Sequence, residues 1–68
     1  MMIVLNGELR EAPTGTTLAE LIAAAGIESE RRGIAVALDG EVVPRSAWET
    51  APVADGARIE VLQAVAGG

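Results

Sequence analysis

Thr16-Thr17-Leu18-Ala19-Glu20-Leu21-Ile22-Ala23-Ala24-Ala25-Gly26 is the stretch on which the fold turns. Leu18, Leu21, Ile22 and Ala25 stand at i, i+3, i+4 and i+7, so they line one stripe of a helix. Thr17 and Glu20 have capping-box spacing, in which each side chain satisfies the other's backbone N–H. Gly26 falls where a helix commonly exits through positive φ, and Ile27 can then fold back on the last turn. This predicts one amphipathic helix of about two and a half turns. An Ala-rich face could also serve a membrane or a partner helix, but packing on a core is the reading adopted.

Toward the N-terminus, Asn6-Gly7 lies between two β-favouring runs. Both central residues of a type I′ turn need positive φ, so this dipeptide predicts a hairpin, with strands over about 2–5 and 8–12. Pro13, Thr14 and Gly15 end it. Toward the C-terminus, 28–32 is a charged linker, and Glu28 and Glu30 in it read as solvated charges, as do Glu8 and Glu11. Ile34-Ala35-Val36-Ala37-Leu38 is a nearly continuous apolar run, which predicts a central strand buried on both faces. Asp39-Gly40 gives a second type I′ turn into Glu41-Val42-Val43, and Pro44 stops that strand. Residues 45–52 read as irregular, with a 3₁₀ turn near Ser46 to Trp48 and Trp48 covering one edge of the core. Asp55-Gly56 makes a third turn; neither it nor Asp39-Gly40 has calcium-loop spacing. The last strand is predicted over 58–65, with Ile59 and Val61 inward and Arg58, Glu60 and Leu62 on the opposite face.

Hairpin, helix, hairpin, irregular segment and final strand make an α+β chain. A helix crossing between the first hairpin and the rest predicts that the first and last strands pair in the middle of a mixed sheet of four to five strands. One main helix on one face of that sheet is a β-grasp, the ubiquitin-like arrangement. The expected organisation is a single domain over 1–65 with a C-terminal tail, 66–68.

Composition removes most chemistries. The 68 residues hold no Cys and no His, so thiolate nucleophiles, a Ser-His-Asp triad and the usual zinc, haem and iron–sulfur ligand sets are missing. No metal site and no catalytic residue is expected, and a domain this small has little room for a deep pocket. The net charge of −5 disfavours nucleic acid and suits a basic protein partner. No apolar run reaches the roughly 18 residues of a membrane span, and no signal-peptide pattern opens the chain, so no membrane and a cytoplasmic location are expected.

What chemistry remains sits in Ala64-Val65-Ala66-Gly67-Gly68. Without Cβ atoms, Gly67 and Gly68 can thread a channel too narrow for side chains. A free carboxylate is a poor electrophile until its oxygen becomes a leaving group. An acyl-adenylate formed with ATP achieves that, and a sulfur nucleophile can then displace AMP to leave a thiocarboxylate on Gly68. The machinery for such steps must belong to a partner. The plainer alternative is an inert end of small residues, or an expression scar.

Several segments resemble one family, the ThiS sulfur carriers of thiamine biosynthesis. They are Leu5-Asn6-Gly7-Glu8, Thr17-Leu18-Ala19-Glu20-Leu21, the long run from Ile34 through Asp39-Gly40 and Pro44-Arg45-Ser46 to Trp48, Asp55 to Val61, and the terminal Gly67-Gly68. The family commonly has Asn where this chain has Asp39, a change that keeps the turn chemistry. The resemblance implies a carrier rather than an enzyme. It also implies a ThiF-like adenylyltransferase, related to ubiquitin-activating enzymes, that uses ATP and magnesium on Gly68. A cysteine desulfurase relay supplies sulfur, and a ThiG-like thiazole synthase takes it into the thiazole ring. No cofactor is bound by this chain. Carried over, Gly68 bears the sulfur, while Gly67 and Ala66 thread into the partner. In ubiquitin-like folds the sheet face away from the helix commonly carries an apolar patch for the activating enzyme. Leu62 is therefore the anchor candidate, flanked by Glu60 and Arg58; alternatively it is an isolated surface Leu. Rival readings are the molybdopterin-pathway carrier, which more often has prolines before its glycines, a ubiquitin-like modifier of target lysines, and a binding domain with an inert tail.

Overall fold

Two Asx-Gly dipeptides make two hairpins. Asn6 and Gly7 have φ of 48° and 82°, and Asp39 and Gly40 have 49° and 86°, the positive pair that a type I′ turn demands. The first turn joins β1, Met2–Leu5, to β2, Glu8–Glu11. The second joins β3, Ile34–Leu38, to β4, Glu41–Val43. The structure is a computed structural model that describes residues 1–27 and 33–63. The predicted linker 28–32, the last two residues of the predicted final strand and the tail lie outside the described residues.

The helix α1 spans Leu18–Ala24. Its capping box is complete: Glu20 N donates to Thr17 Oγ1 at 3.3 Å, and Thr17 N donates to Glu20 Oε1 at 3.0 Å. Its other end closes as a Schellman motif, with Gly26 N donating to Ala23 O at 3.0 Å and Ile27 N to Ile22 O at 3.1 Å. Seven residues make about two turns, shorter than the predicted two and a half, because Ala25 already leaves helical geometry at φ −80°, ψ 0°.

Strand β5, Arg58–Gln63, lies at the centre of a five-stranded sheet of order β2-β1-β5-β3-β4. It runs parallel to β1 and antiparallel to β3. The predicted pairing of first and last strands is therefore present, and the architecture is the mixed sheet with one helix. One expectation for β3 needs correction. It is flanked on both sides, but it is buried on one face only: Val36 is buried while Ala35 is exposed. The single helix covers one side of the sheet. Ala35 and Ala37 read as apolar because they are small, not because they are enclosed.

Between sheet and helix, Ile3, Leu5, Leu18, Leu21, Ile22, Val36 and Ile59 form the core, joined by Ala12, Val53 and Ala57 from the connections. Trp48 follows a 3₁₀ turn, Arg45–Ala47, and closes the core edge. Its indole Nε1 donates to Val43 O at 2.8 Å, and the Arg45 guanidinium sits 4.8 Å from the ring centroid. The same segment ties down the helix start, since Ala19 N donates to Trp48 O at 2.9 Å. No polar or charged side chain is buried among the described residues.

Candidate docking face and terminal strand

In β5, Ile59 is buried against the helix, so strand alternation sends Arg58, Glu60 and Leu62 to the other face, where all three are exposed. Register supplies their neighbours there. Val4 lies beside Arg58 and opposite Leu9; Ala37 lies between Glu60 and Val42; Ala35 lies beside Leu62. The four exposed large apolar residues among those described are Leu9 (69%), Val42 (74%), Leu62 (66%) and Met2 (37%). All four belong to this outer face. The outer face thus carries four exposed apolar side chains, with Arg58 and Glu60 near its middle.

Two open hollows sit on it. One, of about 430 Å³, is lined by Val4, Asn6, Gly7, Arg58, Glu60 and Leu62. The other, of about 370 Å³, lies between the turns at Asp39-Gly40 and Gly56 and shares Arg58 and Glu60. Both are open concavities of the surface. Among the described residues no group of three or more His, Cys, Asp or Glu could hold a metal ion. No helix there is long and apolar enough to cross a membrane.

The position of β5 is fixed by turn side chains as well as by strands. Asp39 Oδ1 accepts from Arg58 N at 2.9 Å where β5 begins. Asn6 Oδ1 accepts from Val61 N at 2.8 Å, and Asn6 Nδ2 donates to Val61 O at 3.3 Å. Asp55 Oδ1 does the same service for β1, accepting from Met2 N at 2.7 Å. All three residues precede a glycine and read in sequence as turn formers only. Their reach across the sheet, up to 55 residues along the chain, carries no local signal.

The structure thus brings Arg58, Glu60 and Leu62 onto one face, with the hollows beside them. Gly68, Gly67 and Ala66 lie outside the described residues. Nothing in the sequence marks Leu9, Val42 and Met2 for this face, because each stands alone in its own strand and only the register unites them.

Comparison with known proteins agrees with this architecture. A model of the ThiS family matches residues 3–68. The chain is 32% identical to the sulfur carrier protein ThiS of Escherichia coli (strain K12), over all 68 residues and the whole of that protein. It is 34% identical over its full length to part of a thiazole synthase of Paramagnetospirillum magneticum, of which it spans only 20%. A crystal structure of a thiamine biosynthesis protein (ThiS) from Geobacter metallireducens superposes with a TM-score of 0.78, at 30% identity and full coverage of both chains. The solution structure of a thiamine biosynthesis protein from the same organism gives 0.75, covering all of this chain and 88% of that one. With the sequence matched through to its final Gly-Gly and the β-grasp sheet in place, the chain belongs to the ThiS family.

Proposed function

We propose that this chain is a sulfur carrier for the thiazole ring of thiamine, and that Gly68 is its working residue. The observation that carries this is the family match, which runs without a break from Ile3 through the double glycine at 67–68. In the first step a Gly68 carboxylate oxygen attacks the α-phosphorus of ATP and pyrophosphate leaves. A sulfur nucleophile at the hydrosulfide level then adds to the acyl carbon, and AMP departs with one of the original oxygens. The net change replaces one oxygen by one sulfur.

The chain supplies the substrate group and a docking surface, and the partner supplies catalysis. That division fits a chain with no Cys and no His. ATP and magnesium belong to a ThiF-like adenylyltransferase, to which a cysteine desulfurase relay delivers sulfur. Likeness of the whole chain to one-fifth of a thiazole synthase supports a ThiG-like synthase as the acceptor. The docking surface is the outer sheet face, with Leu62 as anchor and with Arg58 and Glu60, in the rows of Leu9 and Val42, as polar contacts. Gly67 and Ala66 thread the partner's channel, and the setting is the cytoplasm.

Intact-mass spectrometry tests the reading after incubation with the adenylyltransferase, ATP, cysteine and a desulfurase. A gain equal to sulfur replacing oxygen, located on Gly68 and lost on its deletion, is the expected result. Unchanged mass, with the enzyme active on a known carrier, would overturn the reading. Isopeptide adducts on other proteins would replace it with a modifier.

A further inference from the structure

Strand β5 outlasts its parallel partner. The β1–β5 ladder registers only Val4 with Arg58 and Leu5 with Ile59, whereas β5 continues to Gln63. Odd-numbered residues turn their backbone toward β1: Ala57 O accepts from Val4 N and Ile59 O from Asn6 N, each at 2.9 Å. Val61 is next in that series, and there the chain of β1 has already turned away through Asn6 at φ 48°. The Asn6 side chain fills the place. Its amide pairs with both the N–H and the C=O of Val61, at 2.8 and 3.3 Å, replacing the carbonyl and the N–H that two separate peptide groups of a longer β1 would supply.

The type I′ turn does not require this residue, since Asp or Gly serves position 6 of such a turn equally well. At the two other Asx-Gly turns the side chain is a carboxylate that accepts from one N–H. At those turns a backbone N–H takes the facing carbonyl, Asp39 N to Arg58 O at 2.8 Å and Gly56 N to Met2 O at 2.7 Å, whereas at Val61 one side-chain amide serves both the donor and the acceptor. We propose that Asn6 is a positioning residue: it holds Val61 to Gln63 in the sheet and so fixes the root from which the Gly68 carboxylate reaches the adenylating partner. This rests on the carrier reading above. Five residues follow Gln63, a reach of roughly 17 Å at full extension. Releasing three more would lengthen the arm by roughly 10 Å and scatter its end through a much larger volume. The β3 edge still pairs with Val61, Leu62 and Gln63, so losing the clamp loosens one edge without unfolding the domain.

The test compares Asn6→Gly, which removes the amide while keeping the turn, with Asp55→Gly, which removes a similar bond far from the terminal half of β5. Hydrogen exchange at the Val61 amide and the kcat and KM for pyrophosphate release with the adenylyltransferase, ATP and sulfide are measured for each. Asn6→Gly is expected to speed Val61 exchange about tenfold and to lower kcat about three- to tenfold, with KM within twofold. Asn6→Asp, which keeps only the acceptor, should fall between it and the native chain. Asp55→Gly should lower thermal stability by a similar amount and leave both readouts unchanged. Unaltered Val61 exchange in Asn6→Gly, or equal losses of kcat in the two glycine variants, overturns the proposal. A native chain that the enzyme does not adenylate overturns the carrier reading, and this inference with it, before any variant is made.

Discussion

Leu62→Ala separates docking from folding. Leu62 is 66% exposed, so truncating it removes little buried contact, and the domain should lose less than about 0.5 kcal/mol. Docking changes the balance. Fully burying a Leu side chain is worth about 1.5–3 kcal/mol, and about two-thirds of that remains to be gained here, roughly 1–2 kcal/mol. At 1.4 kcal/mol per factor of ten, the Kd for the adenylyltransferase should rise about 5- to 30-fold. Titration calorimetry reads the affinity, and a thermal melt of the free variant reads the fold. Leu62→Ala with a Kd within twofold of native and an unchanged melt would refute the anchor role. Leu9→Ala on the same face tells whether the apolar surface acts as one patch: a loss about as large at Leu9, 69% exposed, places the partner across β2 as well.

Other expectations concern stability. Trp48→Phe removes the donor to Val43 O and the larger ring beneath Arg45, and should cost about 2–3 kcal/mol in urea denaturation followed by far-ultraviolet circular dichroism. A cost under about 1 kcal/mol would contradict the assigned hydrogen bond. Hydrogen bonds from the backbone and then the hydroxyl of Thr17 hold the Glu20 carboxyl below its ordinary value of 4.5. A group depressed in the folded state stabilises fully above its unfolded value and loses that contribution as pH falls through the folded one. The stability gap between the native chain and Glu20→Gln should therefore narrow below pH 4.5; a gap that widens on acidification would contradict the capping box. Asp39→Asn keeps an acceptor for Arg58 N and should be neutral within about 0.5 kcal/mol in thermal melts. Asp39→Ala loses that acceptor at φ 49° and should cost about 1–2 kcal/mol.

Much of this fold is legible because its punctuation is local. Asn6-Gly7, Asp39-Gly40, the Thr17–Glu20 box and Gly26 each announce their geometry within four residues, and each is found as read. The two-faced burial expected for β3 failed because Ala35 and Ala37 mask a period of two that only Ile34, Val36 and Leu38 reveal. Val53, Ala57 and Ala12 enter the core from segments with no period to read. At the candidate site, the outward set Arg58, Glu60 and Leu62 follows from alternation, whereas its union with Leu9 and Val42 depends on register. The bond from Asn6 to Val61 joins residues 55 apart and has no sequence signature at all.

The central place of β5 also governs which chains can be mistaken for working ones. Taken out of the order β2-β1-β5-β3-β4, it leaves two separate hairpins with no ladder between them. Each hairpin can form early from neighbouring residues, but joining them must wait for a strand that meets β1 across 54 positions, Val4 to Arg58. A chain broken before residue 58 therefore cannot close the sheet, and a two-stranded piece is marginal in water. It would never display the outer face to a partner. The outer face that carries Arg58, Glu60 and Leu62 is thus assembled only once the chain has been made through β5.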